Sequence, residues 1–332
     1  MANLNRSSMS TGIKTMYEMR LLSRALPRLI HNKWGTVASL SNHGDLELRK
    51  YSSLSAVTSS LTEGTTPSEQ TQPSISTVTL DPEYYGAYLI FTDEIDLEQT
   101  DNMILETSAI LGEQAGLSID TLTRNALITN ATAAYSGGAS AITDISLADH
   151  EFNYEDILKQ YFTLQANNAR PIGGSFIIVT HPYSVGSLFK DPVFVNMFNN
   201  ETDENKIRSG KIGRILNCDI YVSSNSYESA NAGKSGTTDV YSALFLGDES
   251  FGRAGMSTLM PGNLDSGGVD EWTNTGKQVR PVNLIVKDLD SGGSDDPLNQ
   301  RGSIGWKVSH DLEVLNSDWI INLYHANMAS DD

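Results

Sequence analysis

Apolar and polar positions alternate, run together or step by three and four in separate stretches of the chain, and each pattern predicts an element. In MYEMRLLSRALPRLIHNK, residues 16–33, Leu21, Leu22, Ala25, Leu26, Leu29 and Ile30 recur at helical spacing, interrupted by Pro27. This predicts a short segment with one apolar face that needs a partner surface to lie on. GDLELRKY opposes Leu46 and Leu48 to Asp45, Glu47 and Arg49, the pattern of a half-buried strand. SISTVTL at 74–80 and YYGAYLIF at 84–91 are rich in β-branched and aromatic residues and predict two further strands. Between the first strand and the second, eleven of the twenty residues from Ser52 to Thr71 are Ser or Thr. A two-stranded excursion is marginal in water, and structureless loops longer than about 12–15 residues are uncommon in compact domains. Residues 45–91 therefore predict an extended β-arm stabilised from outside its own domain, and a neighbouring subunit is the natural candidate.

Residues 100–135 predict one long helix. Thr100 is the expected N-cap with Asp101 beside it, and Met103, Thr107, Leu111, Ala115, Ile119, Leu122 and Ala126 form the stripe. Gly112 and Gly116 lie one turn apart, which predicts a close approach by another element or a bend, and Gly137-Gly138 supply the stop. NYEDILKQYFTLQANN predicts an amphipathic helix capped by Asn153, with Ile157, Tyr161, Leu164, Leu158 and Phe162 inward. GSFIIVT is a buried strand, Pro182 opens a helix through Phe198, and CDIYVSS and VYSALFLG are strands. Residues 256–280 lack periodicity and predict a loop. Ile304, Trp306 and Val308 alternate, Leu312 and Val314 continue, and Trp319, Ile321 and Leu323 alternate after Asn316-Ser317-Asp318, which together predict a C-terminal hairpin.

Composition narrows the possibilities. The 332 residues suffice for one large domain or two ordinary ones. Cys218 is the single cysteine, so neither an intramolecular disulfide nor a cysteine-based zinc site can form, and its place in RILNCDIYVSS reads as a small core residue. No apolar run is long enough for a signal-peptide core or a membrane span, which predicts a soluble chain made in a reducing cytoplasm. The formal charge of −18 is uneven. Six Lys and Arg against one Glu give residues 1–35 a net +5, and the remainder carries −23. Such a body repels phosphates, which argues against sequence-specific DNA binding; a wall that must not stick to packaged DNA, or plain solubility, fits the same charge.

No catalytic pattern survives inspection. The phosphate-loop spacing before Gly233-Lys234-Ser235 requires a Gly where Glu228 stands. The acidic turn with Asp288, Asp290, Asp295 and Asp296 fails the EF-hand pattern at Gly292 and Asn299. The six histidines, His31, His43, His150, His181, His310 and His325, show no paired metal-ligand spacing, and no GxSxG motif occurs. No cofactor is expected.

The order of these parts resembles the major capsid proteins of tailed bacteriophages. The likeness rests on MYEMRLLSRALPRLIHN in the arm, SLTEGTTP at 60–67, YYGAYLIFTDEI at 84–95, THPYSVGSLFKDPVF and DPLNQRGSIGWKVSHDLEVLNSDWIINLYHA. Within that group the chain is similar to the subtype first named for an N4-like podovirus, departing from it at Tyr84, where the subtype carries Gln. The resemblance implies an α+β tailed-phage capsid fold, the Johnson fold. Its parts would be an N-terminal arm over 1–41, the extended hairpin called the E-loop over 42–92, and a spine helix with peripheral domain over 93–149. An axial domain would occupy 150–280, and C-terminal strands over 281–332 would return to the peripheral domain. It also implies self-assembly into hexamers and pentamers of an icosahedral shell around double-stranded DNA, in the virion after assembly in the host cytoplasm. Portal, scaffold and decoration proteins would be further partners; DNA would be met only non-specifically, and no membrane. Self-assembly contacts would come from the arm and E-loop, at Arg24, Arg28, Lys50, Leu61, Glu63, Gly64 and Pro67. Some members crosslink a Lys to an Asn, but Lys50 reads more simply as a solvated strand residue. The rival expectations are an encapsulin-like shell around enzymes, and a soluble binding protein or hydrolase.

Overall fold

A computed structural model describes residues 29–39, 46–51, 60–66, 72–92, 103–199, 214–255, 283–287 and 300–330, together with 19–21, 23, 24, 54, 56–58 and 298. The expected Thr100 cap, the 256–280 loop and the acidic turn at 288–296 lie outside the described residues. Within them, helix α1 spans Met103–Asn130, 28 residues or about 42 Å of rise. Its buried side is Ala109, Leu111, Ala115, Ile119, Asp120, Thr123 and Leu127. The helix ends before the expected limit. Residues Thr132–Tyr135 form strand β5, paired in parallel with strand β14 (Ile320–His325), so a tertiary ladder overrides local helix propensity there. Gly137 and Gly138, both at positive φ, follow β5 and do not cap the helix.

Two sheets lie along α1. The seven-stranded sheet runs β5-β14-β10-β6-β8-β7, with β9 beside β10, where β6 is Phe176–Thr180, β7 Arg214–Ile215, β8 Cys218–Val222, β9 Glu228–Ser229 and β10 Val240–Leu246. One face packs on helices α2 (Tyr154–Ala166), α3 (Pro182–Leu188) and α4 (Pro192–Asn199). Ile157, Leu164, Val185, Leu188 and Phe194 there meet Phe176, Ile178, Phe245, Ile321 and Leu323. On the other face Ile177, Val179, Leu244, Leu246 and Ile320 close over Leu127 of α1. The five-stranded sheet runs β1-β11-β13-β12 with β4 on the far edge of β13. Here β1 is Thr36–Ser39, β4 Glu83–Thr92, β11 Phe251–Gly255, β12 Asn283–Lys287 and β13 Arg301–Val314. Phe91, Ile304 and Trp306 of this sheet pack on Leu111, Ala115 and Ile119 of α1.

Asn153 caps α2 as expected, accepting from the Asp156 backbone N–H at 3.0 Å. Ile157 and Leu164 face inward, but Phe162 is exposed. The expected helix from Pro182 to Phe198 is two helices. The first ends before Phe189–Asp191, and Pro192, which cannot continue an i→i−4 ladder, starts the second. The expected C-terminal hairpin is absent. β13 pairs with β4, β11 and β12, whereas β14 crosses into the seven-stranded sheet between β10 and β5. Asn316–Trp319 thus hands the chain from one sheet to the other. The stretch expected as one excursion over 42–92 also divides. Strand β2 (Leu46–Tyr51) pairs with β3 (Ile75–Leu80), and β4 pairs with β13 over ten residues, from Glu83↔His310 to Thr92↔Arg301.

The arm finds its surface on its own chain. Leu21 and Leu29 are buried with Leu111, Ala115 and Ile119. A Cβ on Gly112 would collide with the Leu21 carbonyl oxygen, so the close approach foreseen at Gly112 is made by the arm. Gly112→Val is expected to push the arm off α1 and to lower the urea midpoint by the equivalent of about 1–3 kcal/mol. An unchanged midpoint would mean that the arm does not rest there.

His325 lies in β14, wholly buried, its Nδ1–H donating to the Ala326 carbonyl at 2.9 Å and its ring stacked on Phe152. Burial pushes its pKa from 6.5 down to about 4. The unfolded chain therefore binds this proton first. The neutral ring's contribution is complete above pH 6.5 and is lost as pH falls toward 4, a loss of ~3 kcal/mol. His325→Gln is expected to reduce proton uptake on unfolding at pH 5 by about one, measured from the pH dependence of stability; identical slopes would refute a buried neutral imidazole.

Candidate assembly surfaces

The β2–β3 pair is in register from Leu46↔Leu80 to Tyr51↔Ile75. Among the described residues its apolar anchor is at one end, where Leu80 and Ala254 are buried with Leu48 against them. The opposite end leads into the Ser/Thr-rich stretch. There Leu54, Val57 and Leu61 are exposed, Leu61 at 77%. The Thr65 N–H donates to the Thr62 carbonyl at 3.2 Å, and Gly64 adopts φ +77° in the turn between them. That left-handed angle suits Gly and strains residues with a Cβ. The excursion thus shows water three apolar side chains that are left largely exposed among the described residues.

A second uncovered surface lies on the five-stranded sheet. The face of β4 turned away from α1 carries Tyr84, Tyr88 and Ile90, all exposed, and Ile285 of β12 is exposed on the same side. The register places Tyr88, Gly305 and Ile285 in one row across three strands. A Cβ on Gly305 would lie 2.7 Å from the Tyr88 Cβ, so the missing side chain keeps this row flat. Lys307 stands over the Tyr84 ring, 4.3 Å from its centroid. β4 carries a single charged residue, Glu83, in ten, and no Pro, so it lacks the charges and prolines that usually blunt an edge strand.

Of the residues expected at contacts, Leu61, Glu63 and Gly64 lie together at the exposed turn. Lys50 is on β2 opposite Ser76, at the far end of the pair from the Leu80 anchor. Arg24 is exposed on the arm, away from this cluster in sequence, and Arg28 and Pro67 lie outside the described residues. Sequence reasoning missed the sheet face of Tyr84, Tyr88, Ile90 and Ile285. The available signal was YYGAYLIF itself, apolar at both parities, which a strand with one solvated face does not need.

It also missed Asp120. This carboxylate on α1 is fully buried and accepts four hydrogen bonds. The Ile30 and His31 backbone N–H groups donate to Oδ1 at 2.8 and 2.7 Å, and His31 Nδ1 and Asn225 Nδ2 donate to Oδ2 at 2.8 and 3.0 Å. Burial alone would raise its pKa; the hydrogen bonds and charge of His31, with Asn225, outweigh that and hold it below 3.8. Its contribution to stability is therefore present at neutral pH and is lost only as pH falls below the ordinary carboxylate range.

Among the described residues, no cluster of three or more His, Cys, Asp and Glu is placed to hold a metal ion, and no helix is long and apolar enough to cross a membrane. The family model described as "Phage capsid protein" matches residues 76–320, nearly three quarters of the chain. The chain belongs to the phage capsid protein family. The solved capsids it resembles include that of cyanophage P-SCSP1u, with TM-score 0.61 and 13% identity over 90% of this chain and 88% of that one. The capsid of Ralstonia phage GP4 gives TM-score 0.62 and 13% identity over 89% and 86%. The cyanophage Pam1 capsid gives 0.61 and 12% over 93% of each. No curated protein sequence matches the chain. At these identities the likeness carries the fold: this major capsid protein has the α+β architecture of tailed-phage capsids. The N4-like subtype gains no support beyond the sequence resemblance.

The capsid chain's exposed Leu54, Val57 and Leu61 give its own fold nothing to lose. Replacing all three by Ser is expected to leave the urea midpoint of the unassembled subunit within about 0.5 kcal/mol of the parent. A larger drop would mean that they pack within the subunit.

Proposed function

We propose that this major capsid protein builds an icosahedral shell of hexamers and pentamers by seating the β2–β3 excursion of each copy on a neighbour, and that the shell encloses double-stranded DNA. The observation that carries the proposal is the pair of uncovered apolar surfaces, Leu54, Val57 and Leu61 on the excursion and Tyr84, Tyr88, Ile90 and Ile285 on the sheet. An excursion whose described apolar anchor is at Leu80 gains further support from a second copy. In this reading residues 46–80 act as the E-loop, α1 as the spine helix, the five-stranded sheet as the peripheral domain, and the seven-stranded sheet with α2–α4 as the axial domain. Leu61, Glu63 and Gly64 act at the tip, with Lys50 along its flank. The chain is a structural subunit without catalytic work to do. A net charge of −18 suits a wall that slides past phosphate rather than binding it, with DNA, portal and scaffold or decoration proteins as the further partners and the host cytoplasm as the place of assembly.

The test is electron microscopy of the expressed full chain, with analysis of what the particles hold. Closed particles are expected from the parent chain. The Leu54, Val57 and Leu61 triple Ser variant, Tyr88→Glu, and a deletion of residues 53–73 are each expected to give folded subunits and no shells. Intact shells from the deletion would remove the excursion from the mechanism, and particles filled with protein cargo in place of nucleic acid would reverse the choice of contents.

A further inference from the structure

The buried Asp120 carboxylate joins three parts of the chain that are far apart in sequence, its own helix and two others. From the arm come the N–H groups of Ile30 and His31 and the His31 imidazole. From the link between β8 and β9 comes the Asn225 carboxamide. Asp120 itself sits on α1, between the part that carries the five-stranded sheet and the part that carries the seven-stranded one. Oδ2 is shared: the His31 imidazole and the Asn225 amide donate to the same oxygen. One helical turn on, Arg124 fixes the other end of Asn225, donating from Nη1 to its backbone carbonyl at 2.8 Å and its side-chain oxygen at 3.1 Å; Thr121 bonds the same carboxamide. Trp34, three residues past His31, packs on Tyr221 of β8 with ring centroids 4.7 Å apart, and the chain then enters β1 of the five-stranded sheet.

A buried carboxylate that loses one donor keeps its charge and loses part of its compensation. The two donors on Oδ2 therefore depend on each other, although no hydrogen bond joins them. We infer that Asp120 is a three-way latch that makes docking of the N-terminal arm and seating of the 223–227 link on α1 one cooperative event. The arm is then more than a strap on the helix. A partner that draws the arm away from α1 also loosens the link at the edge of the seven-stranded sheet, so arm engagement is transmitted to residues 223–227 through the shared carboxylate as well as through the Trp34–Tyr221 contact. By reciprocity, disturbing the link weakens the arm's hold equally.

Hydrogen exchange by mass spectrometry on the full unassembled chain tests this. Asn225→Ala is expected to speed exchange about tenfold at residues 29–34, to whose backbone Asn225 donates nothing, and His31→Phe is expected to speed it comparably at 223–227. Asp120→Asn, which keeps the shape and replaces an acceptor by a donor, is expected to release both segments together. Strand β6 at 176–180 serves as the internal reference and is expected to exchange as in the parent. Effects confined to the mutated segment would overturn the latch, and so would a rise that includes β6, because that reports general loosening. The two single variants at Asn225 and His31 decide the matter even where Asp120→Asn does not fold.

Discussion

Asp120 is a charge withdrawn from water in the middle of α1, and such a group is tolerated only where its acceptor capacity is filled. Four donors fill it, and they come from the arm and from the β8–β9 link. That requirement ties the arm and the β8–β9 link to one point on the helix against which both sheets pack. Apolar contacts flank it on either side. Leu21 and Leu29 reach the Leu111–Ile119 surface because the arm is pinned just beyond them, and Gly112 gives the arm backbone room to lie close.

What the subunit leaves undone is as informative as what it completes. Its two main cores are closed, with β6, β10 and β14 buried along their whole lengths. Against these stand an excursion with Leu54, Val57 and Leu61 exposed and a flat face of Tyr84, Tyr88, Ile90 and Ile285 in water. Large apolar groups gathered in this way mark interaction sites in soluble proteins. In a member of the phage capsid protein family, these are the surfaces proposed above to supply attraction between copies.

The sequence made much of this legible wherever a local pattern and its tertiary use agree. FIIVT reads as a buried strand and is one, and Asn153 caps its helix because the side chain and the Asp156 N–H are neighbours in sequence. Residues 46–51 and 75–80 are strands, as alternation in the first and β-branching in the second suggested, and they pair with each other. The failures came where distant partners decide. Two alternating strands flanking Asn316-Ser317-Asp318 look like a hairpin, yet INLYH is buried on both faces, and only pairing with β10 and β5 reveals that it is internal to another sheet. The helical stripe was read through Leu122 and Ala126, whereas the buried line runs through Asp120, Thr123 and Leu127. A lone acid in a helix reads as solvent-facing, because the donors that permit its burial lie about 90 and 105 positions away. The arm, expected to need a partner surface, finds it on α1, and that surface was hidden for the same reason: it is distant in sequence. Composition marked the long polar excursion that holds the exposed turn, whereas Leu61, Glu63 and Gly64 within it were named by the resemblance.

A cryo-electron-microscopy reconstruction of the assembled particle tests most directly whether the excursion is completed by another copy. Shell-building through the excursion predicts Leu54, Val57 and Leu61 buried against a neighbouring subunit. A closed shell in which those three side chains remain in solvent would contradict it.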